Sequence, residues 1–175
     1  MIESLLSLFI MSVGLMTIVA VISGSLRTLY VERDLIIATE LAQEGVELVR
    51  NVRDTDVVAG NDGFSDFDDG RHCRIDWNDA SGDLDCQNSK GGSSRYALNY
   101  SNEVYAHGSG ATGRYTRYIH IDYNGGGNQR AMVRSFVFWG TFLLGDIPNS
   151  GNPANCLASP SCVYTESLLT AWRTP

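Results

Sequence analysis

The run Leu5–Leu26, LLSLFIMSVGLMTIVAVISGSL, holds no charged residue, and about twenty consecutive apolar residues are what a bilayer core requires. From Arg27 the composition turns charged. Apolar residues still recur at Val31, Leu35, Ala38, Ala42, Val46, Val49 and Val52, steps of three and four that put them on one helical face. No proline interrupts the first 53 residues. The stretch therefore reads as one helix in two halves, 1–26 hydrophobic and 27–53 amphipathic, with Arg50 and Arg53 placing positive charge at its expected end. At ~1.5 Å per residue such a rod is roughly 80 Å long. Either it is shared with neighbouring subunits, or its first half sits in lipid and its second half carries a head.

Glu3 stands at the start of the apolar run. A carboxylate there costs several kcal/mol to desolvate unless a positive group meets it. An α-amino group, of this subunit or the next, is the nearest candidate; the plain alternative is a carboxylate at the headgroup interface.

Ile2-Glu3, the apolar run and an amphipathic helix ending in LAQEGVELVRNVRD resemble the N-terminus of type IV pilins and pilin-like proteins, over roughly the first third of the chain. The resemblance implies removal of a leader by a prepilin peptidase, N-methylation of the new first residue, and a Glu five residues in as the one charge of a filament core. Glu3 falls on that position two places early. Two residues ahead of Met1 are therefore absent or the processing differs, and a chain starting without a leader is expected to be the mature form. Met1 and Glu3 are the expected assembly and register residues. Many type IV pilins carry a helix-breaking proline where this chain has Ala20; local melting, if any, is expected at Gly14 or the Ser23-Gly24-Ser25 cluster.

The remaining segment, 54–175, is rich in Gly, Asn, Ser and Asp, so a small head of strands and loops is expected. With the helix packed on it, the fold class is α+β: a long N-terminal α-helix on a small antiparallel β-sheet, pilin-like. Tyr115, Arg117, Ile119, Ile121 and Tyr123 share one face of a strand, and Val133, Ser135, Val137 and Trp139 one face of another. A glycine-rich turn joins them into a hairpin, one face of which should cover Val31–Val52. Shorter strands are expected at 74–77, 95–100 and 103–106, and an extension at 142–144. The end, 163–173, reads as a short amphipathic helix or, nearly as well, a strand. His120 alternates with Ile119 and Ile121 and should face solvent.

Four cysteines form two close pairs, Cys73 with Cys86 and Cys156 with Cys162. Nearest-neighbour disulfides are the preferred of three connectivities, each closing a short loop; a four-thiolate zinc site competes, though its usual CxxC spacing is absent. Disulfides imply an oxidising exterior. Asp66, Asp68, Asp76 and Asp79 are weak calcium candidates, since neither acidic run fits a calcium-binding loop; otherwise no cofactor is expected. Asn99-Tyr100-Ser101 matches the glycosylation tripeptide. Tyr96, Tyr100, Tyr105, Tyr115, Tyr118 and Tyr123 read as sheet packing, with a sugar-stacking surface as the alternative.

A net charge of −7 with a single lysine, Lys90, argues against general nucleic-acid binding. His72, His107 and His120 stand far apart, and no nucleophile elbow, HExxH or phosphate loop occurs, so no enzyme is expected. Two functions remain. In one the chain is a structural subunit, expected to be the major one, of an extracellular pilus; minor pilin or secretion or competence pseudopilin is the near alternative. The resemblance then implies many copies of itself as partners, an inner-membrane assembly platform, and residence in the inner membrane before assembly. In the other the helix only anchors a surface enzyme or receptor.

Overall fold

The computed structural model describes residues 2–67, 71–77, 84–108, 113–126 and 129–171. A single helix, α1 (Ile2–Val58), precedes β1 (Arg71–Arg74), β2 (Asp85–Gln87), β3 (Ala97–Ser101), β4 (Val104–His107), β5 (Tyr115–Asn124), β6 (Arg130–Trp139), the short α2 (Ala154–Leu157) and β7 (Cys162–Thr170). The chain forms two compact units, Met1–Ile37 and Ala38–Pro175. The class is α+β.

In the second unit every strand pairing is antiparallel. β6 lies between β5 and β7, while the other edge of β5 is shared by β1 at Ile119–Ile121 and β3 at Tyr115–Thr116. β2 pairs with β1 and β4 with β3. The hairpin expected across the glycine-rich turn is the longest pairing, running from Tyr115 opposite Trp139 to Asn124 opposite Arg130.

The helical period decides what α1 buries. Ala38, Leu41, Ala42, Val46, Val49 and Val52 are buried, and the last three join Ile119, Ile121, Ala131 and Val133 in one apolar cluster. Val31 and Leu35, expected on this face, are exposed, so apolar burial begins at Ala38. The helix also runs a turn past the expected Arg53–Asp54 and stops before Gly60, whose φ of 95° takes the chain into the left-handed region where glycine carries no Cβ penalty. Arg50 and Arg53 do not cap it: Arg50 donates to Ser167 at 3.1 Å and Arg53 to the Thr170 carbonyl at 3.3 Å, both on β7.

A second cluster occupies the other face of the sheet, with Tyr96, Tyr118, Phe136 and Phe138 against Phe142, Leu144 and Ile147. The segment 142–147 is thus a lid with a 3-10 turn at Leu144–Asp146, not the expected strand extension. His120, beside Tyr118 on that same face, is 2% exposed, which overturns its solvent-facing assignment. Gly151, at φ 63°, passes so close to the ring that a Cβ there would overlap it. β1 sits three residues earlier than expected, and the last strand settles the helix-or-strand ambiguity through a nine-rung register with β6.

Candidate functional site

In the first unit the apolar run is exposed all round. Leu5, Phe9, Met16 and Ile22 are each more than half accessible, and the helix is long and apolar enough to cross a membrane. Most hydroxyls of this part of α1 bond within the helix. Ser7 donates to the Glu3 carbonyl at 2.9 Å, Ser12 to Phe9 at 2.8 Å, Thr17 to Gly14 at 2.8 Å, Ser25 to Val21 at 3.0 Å and Thr28 to Gly24 at 3.2 Å. Such back-bonding removes polar donors from an otherwise apolar surface. The helix continues unbroken through Gly14 and Gly24. Glu3 is exposed in its first turn; Met1 lies outside the described residues.

Within the second unit, α1 is tied to the sheet by charge as well as by apolar packing. Arg117 is fully buried; its Nη1 lies 3.2 Å from Glu44 Oε1, and its Nη2 donates to the Ile75 carbonyl at 2.7 Å and lies 3.4 Å from Asp76 Oδ1. Asp76 accepts the His107 backbone N–H at 3.0–3.1 Å and lies 2.8 Å from His107 Nδ1. Burial works to raise the Asp76 carboxyl, but hydrogen bonding and charge from His107, with the charge of Arg117, hold it below the usual range. A charged residue at the Arg117 position of an otherwise apolar strand face was the available signal for this network. Its partners, coming from α1, the residues after β1 and the end of β4, were not legible.

These bonds commit Asp76, one of the calcium candidates, to protein partners. Asp68 and Asp79 lie outside the described residues. Among the described residues no group of three His, Cys, Asp or Glu could hold a metal ion. The cysteines are joined as nearest neighbours, Cys73 to Cys86 across the β1–β2 pair and Cys156 to Cys162 between α2 and β7, leaving no thiol for a zinc site among them.

Of the histidines, His72 and His120 come together on the far face of the sheet. The Tyr118 hydroxyl lies between them, against His72 Nδ1 and 3.2 Å from His120 Nδ1. Burial, then the charges of His72 and Arg134, push the His120 imidazole down to about 4; burial and Lys90 lower His72. The tyrosines mostly pack: Tyr96, Tyr115 and Tyr118 are buried, and Tyr105 bridges Tyr100 and Tyr115 at centroid distances of 4.9 and 5.6 Å. Asn99 is half-buried in β3, opposite Ala106.

One cleft of ≈ 240 Å³ opens between α1 and the residues after β1. Leu48, Val52 and Ile75 line it with Trp77, which is 59% exposed, and Asp56 and Asp66 stand among its polar groups. Asp56 accepts from Asn61 Nδ2 at 2.5 Å, the Gly63 N–H at 3.1 Å and Ser65 Oγ at 2.9 Å, which ties down the turn after α1. Trp77, expected at the end of a strand over 74–77, lies beyond β1, and nothing in its sequence neighbourhood marks it as the wall of a cleft.

No family model matches the chain, and no curated protein or solved structure matches it either. Its architecture, an N-terminal helix with a long apolar stretch that packs its later part on an antiparallel sheet, with a C-terminal disulfide, is compatible with that of pilin-like proteins.

Proposed function

We propose that this chain is a pilin-like structural subunit, the major one, of an extracellular filament of the type IV pilus kind. The observation that carries the reading is the continuity of α1: one helix is a bare, uncharged cylinder over Leu5–Leu26 and becomes the core helix of a head from Ala38 onward. Apolar surface of that extent is not left in water. Before assembly the inner membrane covers it; afterwards neighbouring helices do. Glu3, the single acidic residue of the first turn, sets axial register by pairing with the terminal amine of a neighbour, the use for which a buried charge pair is best suited. The partners are further copies of the chain, an assembly platform and the prepilin peptidase.

Electron microscopy of material sheared from the cell surface, with mass spectrometry of its N-terminal peptide, tests this reading. Fibres containing this chain are expected. Glu3→Ala should remain membrane-inserted and enter fibres poorly; normal assembly of that variant would remove the register role. A chain that stays solitary in detergent or bilayer in its working state would instead be a helix-anchored surface protein.

A further inference from the structure

A row of cross-strand neighbours crosses the far face of the sheet. His72 of β1, His120 of β5, Arg134 of β6 and Glu166 of β7 stand opposite one another in register. Both histidines are buried, and the Tyr118 hydroxyl bridges their Nδ1 atoms. That hydroxyl has one proton to give, so the bridge needs a bare Nδ1 on one of the two imidazoles. Among the described residues no carboxylate bonds either ring. Arg134, directly opposite His120, is paired with Glu166 at 3.2 Å, and Lys90, from the loop after β2, works against a charge on both rings. Asp122, two residues along β5, favours a charge on His120. Like charges set opposite one another weaken a sheet, and a buried imidazolium without a counter-ion is costly.

Residues 142–151 cover this face. Phe142, Leu144 and Ile147 join the cluster of Tyr118 and Phe136, and the backbone at Gly151 abuts the His120 ring, leaving no room for a Cβ. Few polar bonds hold the segment. Lys90 Nζ donates to the Leu144 and Ile147 carbonyls, and Asn155 Nδ2 to the Asp146 carbonyl at 2.6 Å. The Asp146 carboxylate is used locally, accepting the Leu143 N–H at 2.8 Å. None of these residues belongs to a strand, so the segment can lift without breaking a sheet hydrogen bond. The Cys156–Cys162 disulfide tethers the chain beyond it to the start of β7.

We propose that residues 142–151 form an acid-released lid: a proton taken up by His120 lifts the segment and uncovers the aromatic face around Tyr118 and Phe136, while β5, β6 and β7 stay paired. Opening hydrates the imidazolium, and loss of the proton lets Gly151 settle back on a neutral ring. Every part of the device lies in the second unit, so it does not depend on the filament reading.

Hydrogen exchange of the full chain in detergent, read by segment and divided by the intrinsic rate at each pH, tests the lid. Amides of 142–151 should exchange about tenfold faster per pH unit from pH 6.5 down to about 4, the scale of one proton taken up on opening, while those of β5 and β6 keep their protection. Arg134→Gln removes the opposing cation and should move the acceleration to lower pH. Asp122→Asn removes the supporting anion and should move it to higher pH, each by roughly half a unit. If the two residues acted only through packing, both variants would shift the same way. Exchange of 142–151 that ignores pH, an acceleration shared equally by β5 and β6, or parallel shifts in the two variants would each overturn the proposal.

Discussion

Gly45 of α1 lies directly against Ser135 of β6: a Cβ on Gly45 would overlap Ser135 Oγ and come within 3.2 Å of Arg117 Cδ. Ser135 Oγ is buried without a hydrogen-bond partner among the described residues, so the contact is steric. Gly45→Ala should destabilise the head by ~1–3 kcal/mol, overpacking outweighing the gain in helix propensity. Ser135→Ala removes the obstructing oxygen and an unsatisfied group, so it should be neutral or mildly stabilising. The double variant should recover much of the loss, a coupling readable from denaturant midpoints of the four proteins.

Arg117 holds α1 to the sheet through Glu44, Asp76 and the Ile75 carbonyl. Arg117→Met keeps the apolar stem but leaves Asp76 beside His107 without its guanidinium, and should cost ~3–5 kcal/mol. Thermal unfolding of the full chain in detergent measures it. A loss under 1 kcal/mol would mean that the pairing adds nothing beyond packing.

His120 gives the head an acid sensitivity of defined sign. Its folded value of about 4 lies below the ordinary imidazole value of 6.5, so between the two the unfolded chain binds a proton that the folded chain refuses. The neutral pair is also the satisfied one, since the Tyr118 hydroxyl can accept from one imidazole and donate to the other. Above pH 6.5 the residue has no effect; from there down to about pH 4 stability should fall, by ~3 kcal/mol in total. His120→Gln should make that limb shallower, and what remains is the share of His72, which burial also lowers. Below pH 4 a second decline follows from Asp76, whose depressed folded value gives stability that is complete above 3.8 and lost as pH falls through it. An unchanged slope between pH 6.5 and 4 in the His120 variant would assign the sensitivity elsewhere.

The β3–β4 turn places two non-glycine residues at positive φ, Asn102 at 52° and Glu103 at 67°. Asn tolerates that region and Glu does not. Glu103→Gly should therefore stabilise the hairpin by up to ~1 kcal/mol, seen as slower amide exchange at Tyr100 and Tyr105. A decrease in protection would show that the turn is held by the Glu103 side chain.

Where a period existed, the chain was legible. Steps of three and four marked α1, and alternation marked the β5–β6 hairpin with the correct inward set, Ile119, Ile121 and Val133. The other face was misread because its cover, Phe142 to Ile147 with Gly151, follows no repeat; His120 looked solvated only because nothing periodic announced a lid. The head's share of α1 was drawn too long at Val31 and Leu35, which carry the right spacing but belong to the other compact unit. Arg117 shows a second limit. A charge among inward residues was visible, yet its partners sit 41 and 73 positions away along the chain, at Asp76 and Glu44. Trp77 had no sequence signature because its meaning comes from the cleft beside it.

The internal bonding of Ser7, Ser12, Thr17, Ser25 and Thr28 leaves the apolar half of α1 with few polar groups to tell one apolar surrounding from another. On the filament reading we propose, acyl chains and the side chains of sister helices would both solvate it, and the groups that discriminate between them would be the Glu3 carboxylate at its tip and the arginines that follow the apolar run.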